Sequence, residues 1–118
     1  RPEGASHRVL AGGRDVTWVK LDDKFWANPK IEAVGNEAAG AFVRMLSHCG
    51  DQLTDGAISR AAARYIATPK VIERLEEFGL IVRNGQGWTI PTFLEYNRTK
   101  DQVLAKREAD RQRKATGT

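Results

Sequence analysis

Apolar residues recur along this chain with two different periods, and the switches between them mark out its elements. From Val16 to Leu21 the run VTWVKL alternates and is rich in β-branched and aromatic side chains, which predicts a strand ended by Asp22 and Asp23. In NPKIEAVG, Asn28 can cap, Pro29 suits the first helical position and Gly35 can end a short helix. Asn36 can then cap NEAAGAFVRMLSHCGDQ. There Ala39, Phe42, Val43, Leu46 and Cys49 follow the i, i+3, i+4, i+7 spacing of one buried helical face. Gly50 or the Thr54-Asp55-Gly56 turn closes that helix.

The second half repeats the same grammar. Ser59 caps RAAARYIA, with Ala62, Ala63 and Ile66 available for packing. Thr68 and Pro69 open another helix, whose stripe is Val71, Ile72, Leu75 and Phe78 and whose left-handed terminator is Gly79. Leu80 to Val82 and Trp88 to Ile90 read as strands of a hairpin turned by RNGQG, and Pro91 ends the second strand or keeps it at an edge. Last, Thr99 and Gln102 form a capping box with Asp101 in the first turn, opening TKDQVLAKREADRQRK. Only Val103 and Leu104 are strongly apolar there, so alone this helix should fray.

Taken together, this order predicts a mainly α protein with a small β-sheet, an α+β fold of the winged helix-turn-helix kind. Residues 1–15, rich in Gly, Arg and small polar side chains, read as a flexible lead. Residues 16–97 form the winged helix-turn-helix, with the Val16 to Leu21 strand free to pair with the hairpin. Residues 98–118 form a basic, helix-prone tail.

Composition narrows the classes. The chain has 118 residues, enough for one core, and 41% of them are apolar. No apolar run approaches the roughly 18 residues needed to cross a bilayer, and no stretch has a signal-peptide pattern. One cysteine excludes an internal disulfide and fits a reducing, cytoplasmic setting. Net charge is +4, unevenly placed. Arg1 to Val16 is +1 and Thr17 to Asn97 is −1, whereas Arg98 to Thr118 carries seven basic and three acidic residues. That asymmetry suggests a nucleic-acid-directed tail, with a simple solubilising end as the alternative.

Catalytic chemistry finds little purchase, and no enzyme, cofactor or metal is expected. His48 and Cys49 are neighbours, so on a helix they diverge by about 100° and cannot serve one site. Cys49 lies on the apolar stripe, and His7 lies in the lead. These residues make no zinc pattern. GQG lacks the following helix and lysine of a phosphate loop and reads as a wing.

A DNA interface is the better-supported expectation. Helices SRAAARYIA and TPKVIERLEEFG are joined by about two residues, a link suited to a helix-turn-helix. The first offers Ser59, Arg60 and Arg64, the second Thr68, Lys70 and Arg74, and the wing Arg83, Asn84 and Gln86. The tail adds Arg98, Lys100, Lys106, Arg107, Arg111, Arg113 and Lys114. Against this, Glu73, Glu76 and Glu77 outnumber Lys70 and Arg74, although i, i+3 spacing allows Lys70–Glu73 and Arg74–Glu77 pairing. Trp88 is expected to brace the hairpin against Trp18, stacking on nucleic acid being its alternative, and Phe25 with Trp26 to plug the core, an exposed Trp26 marking a partner site instead.

WVKLDDKFWANPKI, NEAAGAFVRMLSHCGDQLTDGAIS and FLEYNRTKDQVLAKREADRQRK, spanning about Trp18 to Lys114, resemble winged helix-turn-helix proteins of actinobacteria and their bacteriophages, described as replisome-organiser-like or replication-initiation-like. The most specific parts are the W-V-K-L-D-D opening, the L-T-D-G turn and the Y-N-x-T lead into the basic helix. The resemblance implies a cytosolic DNA-binding protein working in phage or plasmid replication or in transcriptional control. With no catalytic constellation in the chain, the expectation is a non-catalytic, cytoplasmic binder of double-stranded DNA. A competing expectation is an adaptor that uses the same fold to dock a replication or transcription protein. Winged-helix proteins commonly pair to read two half-sites, so a homodimer is a further expectation.

Overall fold

The computed structural model describes residues 18–117. Mainly helical, it carries a small antiparallel sheet of three strands. A 3₁₀ turn at Phe25–Ala27 leads to Asn28, whose Oδ1 accepts the Lys30 N–H at 2.8 Å and starts α1, Pro29–Val34. Gly35, at φ 89°, ends α1 and serves directly as the N-cap of α2, Asn36–Gln52. Asn36 is therefore the first helical residue and not the expected cap, because the glycine turn leaves no linker between the helices.

Helix α2 is the spine, and its buried face is wider than the spacing predicts. Ala38, Ala41 and Met45 are buried beside Ala39, Phe42, Leu46 and Cys49, whereas Val43 lies outside the core. The reason is that several elements pack on α2, so burial is centred on Met45 and Val43 falls at its edge. Nor does Gly50 stop the helix. α2 runs on to Gln52 and ends with Leu53 in the left-handed region, φ 56°. Gly50 is instead a notch, since a Cβ there would meet Val19 Cγ2 at 2.2 Å.

That notch explains the largest departure from expectation. Residues 18–21 form no strand, and Val16 and Thr17 lie outside the described residues. Val19 packs over Gly50, and the Lys20 N–H donates to Asn97 Oδ1 at 2.8 Å. The third strand is β1, Ala57–Ser59, which pairs antiparallel with β3, Gly87–Thr89, Ile58 standing opposite Trp88. On its other edge β3 pairs with β2, Val82–Arg83.

Ser59 ends β1 and caps α3, Arg60–Ile66, its Oγ accepting the Ala62 N–H at 3.1 Å. Two residues later Thr68 Oγ1 accepts the Val71 N–H at 3.3 Å and opens α4, Pro69–Glu77. α4 closes as a Schellman motif, with Leu80 N–H on the Leu75 carbonyl, Gly79 N–H on that of Glu76, and Gly79 at φ 76°. After β3 come α5, Phe93–Tyr96, and α6, Lys100–Gly117. Met45, Ile58, Leu75, Ile81 and Ile90 are fully buried, and no charged or polar residue among those described is. No helix among the described residues is long and apolar enough to cross a membrane.

Candidate nucleic-acid interface

The two capped helices divide the charge unequally. α3 contains no carboxylate, and Arg60 and Arg64 are exposed on it. Beside them Tyr65 is 83% exposed, with the Arg44 guanidinium 5.9 Å from its ring centre. Arg44 also donates to the Ile66 carbonyl at 3.3 Å, satisfying the C-terminal end of α3. Arg44 and Tyr65 escape a reading by sequence because each matters only through the other helix.

On α4, the side chains of Lys70, Glu73 and Glu77 face outward, and Thr68 is spent on its cap. Arg74 is exposed but committed. Its Nε donates to the Val34 carbonyl at 3.1 Å, Nη2 donates to Ala33 at 2.6 Å, and the guanidinium lies over the Phe78 ring at 5.5 Å. It thereby satisfies the last carbonyls of α1 and ties α1 to α4. The expected Arg74–Glu77 pair gives way to these contacts. Arg74→Ala should therefore lower stability by about 2 kcal/mol in urea denaturation while leaving DNA affinity of the folded protein unchanged. A loss of DNA affinity with stability intact would instead make Arg74 a DNA contact.

The hairpin holds two of its three candidates in place. Arg83 makes a bidentate pair with Glu76, Nε to Oε2 at 2.6 Å and Nη2 to Oε1 at 3.4 Å, and this hydrogen bonding raises the arginine pKa further. Glu76 is thus a brace between α4 and the hairpin. Asn84 uses both ends of its amide: Nδ2 donates to the Trp88 carbonyl and to Thr89 Oγ1, and Oδ1 accepts the Gln86 N–H. It builds the turn, which leaves the exposed Gln86 side chain at the tip. Trp88 is buried and packs across from Ile58, so its brace is β1 and not Trp18, which is 86% exposed. Of the expected plug, Phe25 stacks on Phe42 at 6.2 Å, whereas Trp26 is 83% exposed.

α6 is anchored at its start and exposed beyond it. The capping box forms in both directions, Thr99 N–H to Gln102 Oε1 and Gln102 N–H to Thr99 Oγ1. Asp55 adds an acceptor from far away in sequence, its Oδ1 taking the Lys100 N–H at 2.6 Å. Val103 is buried next to that anchor, and from Leu104 to Ala115 every residue is exposed or only half-buried. Lys106 and Arg113 pair with Asp110, and Arg111 with Glu108. Hydrogen bonds from Arg111 and Lys106 respectively hold Glu108 and Asp110 below the usual carboxylate range, so both stay ionised near neutral pH.

Among the described residues, no group of three His, Cys, Asp or Glu is placed to hold a metal ion. Cys49 is buried, and burial pushes its thiol pKa up, away from a reactive thiolate. His7 lies outside the described residues. In comparison with known proteins, the chain matches no family model, no curated protein and no solved structure.

Proposed function

We propose that this chain is a non-catalytic winged helix-turn-helix protein that binds double-stranded DNA, of the actinobacterial or phage type, acting in replication initiation or transcriptional control. What carries the reading is the placement of charge on the helices. Carboxylate-free α3 presents Arg60 and Arg64 and is joined by two residues to α4, and the cation-rich α6 is exposed beyond its first turn. In this reading Lys70 and the N-terminal turn of α4 face the groove, the Gln86 tip reaches the flank, and α6 lies along phosphates. Sequence choice rests with α4 and affinity with α6. The exposed Glu73, Glu77 and Trp26 favour a second reading, an adaptor docking a replication or transcription protein.

A mobility-shift titration with random duplex at low and moderate salt separates the two. The DNA reading expects a shift at low salt that weakens steeply as salt rises. Lys70→Ala should then flatten the salt slope by about one. Absence of any shift at low salt would leave the adaptor.

A further inference from the structure

A groove of about 370 Å³ lies between the Trp18–Lys20 segment and the first three turns of α6. Two aromatic side chains open into solvent along it, Trp18 at 86% exposure and Tyr96 at 47%. Lys20, Arg98, Lys100, Lys106 and Arg107 also line it, against two carboxylates, Asp55 and Asp110. Neither carboxylate is idle, since Asp55 accepts from the Lys100 N–H and Asp110 is shared by Lys106 and Arg113. The rim is also held in position. Val19 sits in the Gly50 notch, the Lys20 N–H is bound to Asn97 Oδ1, and Asn97 Nδ2 donates to the Phe93 carbonyl at 3.0 Å.

Exposed rings beside a row of cations match one ligand chemistry, a planar base carrying a phosphate. Bases stack on aromatic side chains whatever their identity, and cations track the backbone. The volume suits a single nucleotide, near the lower end of small-molecule sites. A paired base offers no open face to such rings.

We propose that this groove binds an unpaired nucleotide of a DNA strand, its base against Trp18 and Tyr96 and its phosphate against Lys100, Lys106 and Arg98. The site shares the cations of α6 with the duplex reading and rests on it to that extent. It needs neither α3 nor α4.

Anisotropy of a labelled oligothymidine of roughly 12 nucleotides, measured with the full chain at about 50 mM salt, tests it. The Trp18→Ala/Tyr96→Ala variant should bind this strand about tenfold or more weakly, since the rings on which the base stacks are lost. Trp18→Phe/Tyr96→Phe keeps the rings and should recover most of the affinity, while duplex binding stays unchanged in both variants. Trp18 is almost wholly exposed and Tyr96 about half, and circular dichroism checks that the variants keep the fold. Equal strand affinity in wild type and the alanine variant would overturn the proposal, as would failure of the wild type to bind the strand. Competition by thymidine monophosphate would assign the site to free nucleotides as well as strands, and its failure beside strand binding would assign it to strands alone. Strand binding through Trp18 without duplex binding would overturn the duplex reading and leave this groove standing. Duplex binding with a ring-independent strand affinity would do the reverse.

Discussion

Replacing Lys106, Arg107, Arg111, Arg113 and Lys114 together by glutamine should weaken low-salt duplex binding on the order of a hundredfold. The slope of log K against log salt should flatten by about four to five, because each lost phosphate contact removes about 0.9 from it. Glutamine keeps helix propensity, and the substitutions leave the capping box, the Asp55 anchor and Val103 untouched. Deleting the whole segment from Arg98 would remove those anchors too and confuse lost contacts with lost structure. Local pairing would not withhold these cations from a phosphate partner. Glu108 and Asp110 pair with them on an open helix surface, where such pairs hold weakly and salt screens them. Asp110→Asn should accordingly tighten duplex binding, since one carboxylate engages both Lys106 and Arg113. A salt slope unchanged in the glutamine variant would remove α6 from the interface.

The contrast between Arg74 and Lys70 shows how far the sequence alone could reach. Both stand in the same helix with the same charge, and nothing within a few residues tells them apart. Arg74 is distinguished by carbonyls 40 and 41 residues away, a relation set by how α1 and α4 pack. The same holds for Asp55 at the start of α6, 45 residues from its partner, and for Val19 over Gly50. Caps were legible because their geometry is closed within three residues: Asn28, Ser59, Thr68 and the Thr99–Gln102 box all form as their spacing predicts. β1 is not legible in sequence, since a strand of only three residues, Ala57–Ser59, shows too little alternation. Its existence displaces the expected strand near Trp18, and with it the expected contact between Trp18 and Trp88. The exposed Trp18 and the groove beside α6 follow from that one substitution of strands.

The two glycines flanking Gln86 look interchangeable in sequence, yet their replacement should have very different consequences. Gly85 sits at φ 89° with open space where a Cβ would go, so Gly85→Ala meets only the backbone penalty of about 1–2 kcal/mol. At Gly87 an added Cβ would lie 2.1 Å from the Ile58 carbonyl oxygen and 3.0 Å from the Ser59 backbone. Those atoms belong to the paired strand β1 and cannot swing aside like a side-chain tip. Gly87→Ala must push β1 away from β3, at about 3 kcal/mol or more, a large part of a small domain's stability. The damage reaches beyond the sheet, because Ser59 is both the last residue of β1 and the cap of α3. Shifting it loosens the helix that presents Arg60 and Arg64, so DNA affinity should fall with the fold. Urea denaturation of the two variants decides the point. Equal destabilisation would mean that β1 yields readily, and that the β1–β3 pairing does not hold α3 in place.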